Sequence, residues 1–403
     1  MEGIYLDHAS TTQIDPGVLG VMLPYLTGKF GNPSSMHAYG REAARAIDMA
    51  RANVAKVIKS SPSEITFTGS GTEADNLAIF GVARTYADHG RHVIVSSVEH
   101  KAVLAAAKSL EKDGFQVTYL PVNLHGKVDL HALRRELRPE TVLVSIMYAN
   151  NEIGTIEPIR EAAEIIADFR SAHPENRGLP LFHSDACQAA GALSLDVHAL
   201  GVDLMSLSGS KIYGPKGVGC LYHRNGVRLE PLLVGGGQER GIRAGTEQVA
   251  LIAGFAEALT HADARRDREN ARMRRLRDHC ISVITRTISG VILNGHPSDR
   301  LANNVHVSIP GIEGEAIVLM LDAYGIAAST GSACASNDLN PSHVLLAIGA
   351  TPELAHGSVR FTLGRKTTKS QIDEACQRLA KIARRLRSIS SIRTQQNSPL
   401  LQS

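Results

Sequence analysis

Short apolar runs rich in β-branched residues alternate with longer amphipathic stretches over the first two-thirds of the chain, and this alternation constrains the fold more than any other feature. Ile65 to Thr68, His92 to Ser96, Val117 to Leu120, Val142 to Ile146, Leu179 to His183 and Leu204 to Leu207 read as strands. Arg41 to Ser60, Thr72 to Ala87, Ala102 to Asp113 and Arg160 to Ser171 read as helices. Such alternation predicts an α/β fold, a mostly parallel sheet with helices on both faces. Ligands of these sheets sit beyond the carboxyl ends of the strands, so the residues just after each strand are the first candidates for chemistry.

The pattern changes near residue 255. Residues 256 to 287 read as one long charged helix, and Arg272 to Arg277 on it as a solvated face rather than a nucleic-acid contact. Shorter mixed elements follow to about 388, as in a smaller α+β unit, and the polar, aperiodic stretch Ser388 to Ser403 reads as disordered. A length of 403 residues suits two packed domains or one large unit. The formal net charge is only +3, Trp is absent and aromatics are 4%, so neither a basic nucleic-acid surface nor a set of base-stacking platforms is expected. No apolar run reaches the roughly 18–20 residues of a membrane helix, and the first residues lack a signal-peptide pattern. The five cysteines (187, 220, 280, 334 and 376) are widely spaced, with no C-x-x-C pair. That argues against a disulfide framework or a zinc knuckle and for a reducing cytoplasm.

Gly69-Ser70-Gly71-Thr72-Glu73-Ala74 follows a strand, opens a helix and fits G-x-G-x-x-A, the dinucleotide fingerprint. A nicotinamide enzyme also needs a ribose-binding carboxylate at the end of the next strand, about twenty residues on. Here that strand ends later, at Ser96-Ser97-Val98-Glu99. The glycines need only a phosphate, since backbone amides at a helix N-terminus bind phosphate of any kind. Two further strand ends carry His183-Ser184-Asp185-Ala186-Cys187-Gln188 and Ser206-Leu207-Ser208-Gly209-Ser210-Lys211. An Asp and a Lys thus stand at the tips of consecutive strands, 26 residues apart. Pyridoxal phosphate needs such a pair: a Lys for the Schiff base, and an Asp to keep the ring nitrogen protonated.

With these segments in view, the chain resembles the cysteine desulfurases, fold-type I pyridoxal-phosphate enzymes related to the class V aminotransferases. The likeness runs from Tyr5 to about Arg387 and is carried in order by several segments: Gly31-Asn32-Pro33-Ser34-Ser35-Met36-His37, Glu99-His100, Asn150-Asn151-Glu152-Ile153-Gly154, the Asp185 and Lys211 segments, Gly235 to Thr246, and Ser329 to Ser336. It implies a large domain over residues 13–257 with a mostly parallel seven-stranded sheet, and a small α+β domain from residues 1–12 and 258–387. It implies Lys211 as the Schiff-base lysine, Asp185 on the ring nitrogen, and Gln188 and Asn151 on the ring hydroxyl. His100 would stack on the ring and shuttle protons. Gly71, Thr72 and Ser208 would hold the phosphate, with Thr246 reaching in from the second subunit of a homodimer. Arg360, with Asn151, would bind the substrate carboxylate.

The resemblance also makes Cys334 the residue that takes sulfur from L-cysteine as a persulfide, leaving L-alanine, and passes it to an acceptor such as an iron–sulfur scaffold. No metal site is implied beyond a transient contact of Cys334 with a cluster. The spacing from Cys334 to Pro341-Ser342-His343 is similar to the subgroup with an extended, mobile catalytic loop, which serves iron–sulfur assembly. Two departures stand out. Many members have His where this chain has Ser210, whose hydroxyl can still donate to phosphate, and the tail does not resemble theirs. Selenocysteine lyase and aminotransfer are the rival reactions, though aminotransfer needs no thiol. A non-catalytic scaffold that keeps the fold is the rival of another class.

Overall fold

A computed structural model describes residues 3–331 and 340–389. The chain opens with strand β1 (Ile4–Tyr5) and helices α1 (Pro16–Leu26) and α2 (Ala38–Ile58). The alternating part follows: β2 (Ile65–Thr68), α3 (Gly71–Thr85), β3 (His92–Ser96), α4 (Lys101–Lys112), β4 (Gln116–Leu120), α5 (Leu130–Glu136), β5 (Thr141–Ser145), α6 (Ile159–Ala172), β6 (Leu181–Asp185), α7 (Val197–Leu200), β7 (Leu204–Ser208) and β8 (Gly219–His223). The long helix α8 (Val249–Thr287) leads to β9 (Ile292–Leu293), β10 (Asn304–Ser308), α9 (Gly314–Asp322) and β11 (Ile326–Ala327). Last come α10 (His343–Ala347), α11 (Pro352–His356), β12 (Ser358–Thr362) and α12 (Lys369–Ile389).

The central sheet has seven strands in the order β2-β8-β7-β6-β5-β3-β4. Only β8 runs against its neighbours, so the other six point the same way. Every residue of β3, β5, β6, β7 and β8 is buried, as expected of strands covered on both faces. The edge strand β4 is largely uncovered, which explains its Gln116 and Thr118. One face packs on α1, α2 and the first half of α8 through residues such as Val18, Val54, Phe182 and Phe255. The other packs on α3 and α4 through Leu77, Val82, Val103 and Leu110. Helix α2 shows why: Ala43, Ile47, Ala50, Val54 and Ile58 recur at helical spacing and are all buried. A separate core joins Leu6, Ile284, Val307, Phe361 and Leu379 around the three-stranded sheet β12-β10-β9.

The six expected strands all form, with ends displaced by at most two residues. The long helix begins earlier than expected, at Val249, because Ala250, Ile252 and Phe255 bury in the large sheet's core. The tail reading also needs adjustment: Ser388 and Ile389 belong to α12, and residues 390–403 lie outside the described residues. The dinucleotide reading fails on topology. In a nucleotide-binding βαβ unit the two strands are neighbours, whereas β8, β7, β6 and β5 separate β2 from β3 here. Gly219 of β8 shows how closely the glycine-rich turn passes, since a Cβ there would lie 2.6 Å from the Ser70 carbonyl carbon.

The segment after β8 is fastened by one buried ion pair. Arg51 of α2 meets Glu239 through two hydrogen bonds of 2.7 and 2.8 Å, and Glu239 also accepts from the Phe67 amide at 2.9 Å. The Arg51 guanidinium lies 4.8 Å from the Phe67 ring centroid. Removing one partner strands the other charge inside the protein, at a cost of about 3–5 kcal/mol. Arg51→Ala is therefore expected to lower unfolding stability by about that amount, read from the denaturation midpoint, while Arg41→Ala on the exposed face of the same helix stays near wild type.

Candidate active site

Six strands with one polarity gather their carboxyl ends along one edge of the sheet, and a cavity of about 230 Å³ lies there. Helix α3 aims its N-terminus at it, capped by Ser70, whose hydroxyl accepts from the Glu73 amide at 3.1 Å. The last residue of β6 supplies Asp185, and the last of β7 supplies Ser208. A 3-10 turn, Gly209–Lys211, then delivers Ser210 and Lys211. His100 caps α4 just beyond β3, and Arg360 comes from β12 of the smaller sheet. Gly71, Thr72, His100, Asn151, Asp185, Gln188, Ser208, Ser210, Lys211 and Arg360 all line this cavity. Of the remaining expected residues, Thr246 is exposed and not part of the lining, and Cys334 lies outside the described residues.

The polar contacts set the geometry. Lys211 Nζ donates to the Ser10 carbonyl at 2.6 Å, and Ser208 Oγ lies 3.2 Å from Ser210 Oγ. Asp185 accepts from the Cys187 amide at 2.9 Å, and Gln188 donates to the Ala9 carbonyl at 3.0 Å. Arg360 donates from Nη1 to the Asn151 carbonyl at 2.7 Å, and from Nη2 to Asp7 and Ser10 Oγ, both at 3.0 Å. Asp75, His100 and Asp185 bring one ligand-type atom each within 4.8 Å of one another. Burial, with the Asp185 charge added, pushes the Asp75 carboxyl well above its usual range. Glu99 is raised too, chiefly by burial, which outweighs the hydrogen bond from the Met147 amide. Asp75 therefore favours its neutral acid form, which opposes metal binding by the trio.

The cavity fits pyridoxal phosphate on its own chemistry. The end near α3 offers helix amides and two serine hydroxyls, the donor set of a phosphate site. At Gly71 a Cβ would stand 2.6 Å from Cys187 Sγ, so the chain passes there with no side chain to fill the cradle. The buried Asp185 and the Lys211 amine line the same cavity. Arg360 Nε and Asp75 Oδ1 are buried with no hydrogen-bond partner among the described residues.

Several residues here escaped the sequence reading. Ser10 touches both Lys211 and Arg360, and Asp7 pairs with Arg360, yet both lie in the opening segment, far from any expected site strand. Asp75 had a visible signal, because a carboxylate on the same helical face as Ala78, Ile79 and Val82 is a buried polar group awaiting an explanation.

Fold and site together define a fold-type I pyridoxal-phosphate enzyme. A family model described as aminotransferase class-V matches residues 4–375. A cysteine desulfurase, IscS, from Dictyoglomus turgidum is 49% identical over 387 residues, 96% of each chain. Cysteine desulfurase IscS 1 from Archaeoglobus fulgidus is 46% identical over 388 residues, 96% of this chain and 99% of that one. A solved NifS-like protein superposes with a TM-score of 0.88 at 37% identity, covering 95% of this chain and 100% of its own. The chain belongs to the class-V aminotransferase family and, within it, to the cysteine desulfurases.

Beneath Asp185, His183 is fully buried between Ser145 and Ser206 at 2.8 and 2.9 Å, and burial depresses its pKa from 6.5 to about 4. Between those two values the unfolded chain binds more protons than the native one, so stability falls as pH falls through that window. Each such histidine contributes at most about 1.4 kcal/mol per pH unit. His183→Asn is expected to lose less melting temperature than wild type between pH 7 and pH 5. Equal losses in the two proteins would contradict this account.

Proposed function

We propose that this protein takes sulfur from L-cysteine, leaves L-alanine, and carries the sulfur as a persulfide on Cys334 for transfer to an acceptor protein. One observation carries the reading: an amine, a carboxylate, a phosphate-type helix N-terminus and a guanidinium converge in one cavity, in a chain 49% identical to a cysteine desulfurase. Bound pyridoxal phosphate supplies the electron sink for bond breaking at the substrate α-carbon. Lys211 holds the cofactor aldehyde, and as a free amine it moves the α-proton. Asp185 keeps a proton on the ring nitrogen, His100 covers the ring, and Asn151 and Gln188 address its hydroxyl. The amides of Gly71 and Thr72 and the hydroxyls of Ser208 and Ser210 take the phosphate. Arg360 grips the substrate carboxylate, a task suited to a planar, always-charged donor.

The sulfur step belongs to Cys334. Its thiolate attacks the cysteine sulfur, an S–S bond forms as the carbon–sulfur bond breaks, and the electron pair stays with the carbon. That carbon is then protonated. Net, cysteine and the Cys334 thiol become alanine and the Cys334 persulfide. An iron–sulfur scaffold or another sulfur carrier is the fitting acceptor, in keeping with the IscS and NifS-like names of the relatives.

Two features favour a homodimer. Phe30, Met36 and Val234 are 73, 91 and 87% exposed, apolar side chains that a second subunit would cover. Thr246 is exposed on the segment that Glu239 fastens, where it is available to a second subunit. The separate core around Leu6, Val307 and Phe361 favours a small domain built from residues 1–12 and 258–387. Four cysteines are buried as free thiols, in keeping with a reducing cytoplasm, and no helix among the described residues is long and apolar enough to cross a membrane.

Sulfide and alanine release from cysteine, in the presence of a thiol reductant, tests the activity. Lys211→Ala is expected to lose the cofactor's yellow absorbance and at least about 10²–10⁴-fold in rate. Cys334→Ser is expected to keep the absorbance and lose sulfide release; equal release by wild type and variant would refute the persulfide role. Sedimentation is expected to give twice the 43.2 kDa chain mass, and a monomer would remove Thr246 from the site.

A further inference from the structure

The segment that contains Cys334 leaves the described structure after Gly331 and returns at Asn340. Its two flanks meet at a single carboxylate oxygen. Ser342 Oγ donates to Glu152 Oε2 at 2.5 Å, and Glu152 is only 4% exposed. Gly331 lies against the same atom: a Cβ there would be 2.7 Å from Glu152 Oε2 and 3.0 Å from His306 Cε1. His306 is fully buried, neither of its ring nitrogens has a hydrogen-bond partner among the described residues, and burial holds its pKa near 3. A neutral imidazole and a carboxylate thus form the floor beneath the first flank.

Glu152 is itself well held. Its amide donates to Asn150 Oδ1 at 2.8 Å, and its carbonyl accepts from Asn304 Nδ2 at 2.9 Å. The flanks also reach the substrate side of the cavity. Ser329 and Arg360 exchange backbone hydrogen bonds of 2.7 and 3.2 Å, and His343 contacts the Glu99 carbonyl at 3.0 Å. Glu152, Gly331 and His343 all line the cavity.

We propose that Glu152 is a positioning residue for the sulfur step: its carboxylate bonds one root of the Cys334 segment at Ser342, packs against the other at Gly331, and so holds both beside the turn that presents Asn151. The roots of a chain segment set where its middle can reach, so a group that fixes them acts on whatever the segment carries. A carboxylate accepting a buried hydroxyl at this distance is a strong, charge-assisted contact. The inference rests on Cys334 as the sulfur acceptor. It predicts a defect confined to sulfur transfer, because the hydrogen bonds of Glu152 among the described residues run to Asn150, Asn304 and Ser342 and not to the phosphate or ring-nitrogen residues.

The test uses the cofactor-loaded enzyme and two readouts. One is the change in visible cofactor absorbance on adding cysteine. The other is the single-turnover gain of one sulfur atom on the Cys334 peptide, followed by mass spectrometry. Glu152→Gln and Ser342→Ala should bind cofactor and give the absorbance change within about two-fold of the wild-type rate, yet gain sulfur on Cys334 at least about ten-fold more slowly. Gly331→Ala, which pushes a methyl group onto Glu152, should share the defect, and Glu152→Asp should recover part of the rate. Ser342→Ala removes the same hydrogen bond from the other side if Glu152→Gln fails to fold. Wild-type sulfur transfer in these variants overturns the proposal, as does a parallel loss of both readouts. Wild-type enzyme that gains no sulfur on Cys334 refutes the persulfide role itself, and this inference falls with it.

Discussion

The shared polarity of six strands is the constraint from which the rest follows. Because all but β8 point one way, Thr68, Ser96, Ser145, Asp185 and Ser208 end along one edge, and the chain must turn there after each. Those turns supply the helix N-terminus, the carboxylate, the hydroxyls and the amine. Asp185 and Lys211 are 26 residues apart in sequence but line one cavity because β6 and β7, after which they stand, are neighbours. Reversing any one of these strands would move its residue to the opposite edge.

A second constraint is electrostatic. Asp75, Glu99 and Asp185 share a buried region, and three full negative charges there would be costly. Burial resolves this by pushing Asp75 and Glu99 toward their neutral forms. The cations, Lys211 and Arg360, stand on the cavity wall and are steered by the opening segment through Ser10 and Asp7. The first residues of the chain therefore shape the cavity as much as the strand ends do.

Much of this was legible before any coordinates. Hydrophobic periodicity located six strands to within two residues, since fully buried strands read as continuous β-branched runs. The phosphate turn and the Asp–Lys pair followed from strand ends alone. The roles of Arg360, His100 and Thr246 came only with the family likeness, because a lone arginine on a later strand declares nothing. β8 passed unread: Gly219-Cys220-Leu221-Tyr222-His223 looks like any short apolar run and, between Gly217 and Gly226, gives no sign that it will reverse direction. Contacts of very long separation, such as Asp7 with Arg360 and Glu152 with Ser342, have no local signature at all.

Four thiols of this protein, Cys187, Cys220, Cys280 and Cys376, are buried. Burial raises Cys187 and Cys220 above the ordinary thiol pKa, and Cys280 is raised first by its contact with the Cys376 sulfur, 3.7 Å away, and then by burial. Cys220, Cys280 and Cys376 stay clear of the site cavity, and Cys187, which lines it, is held in its unreactive thiol form by a raised pKa. An enzyme that generates reactive sulfur within its own fold would otherwise scatter it among its own side chains. The packing that builds the cores therefore also acts as insulation, and keeps the sulfur in flight from being lost to the scaffold that releases it.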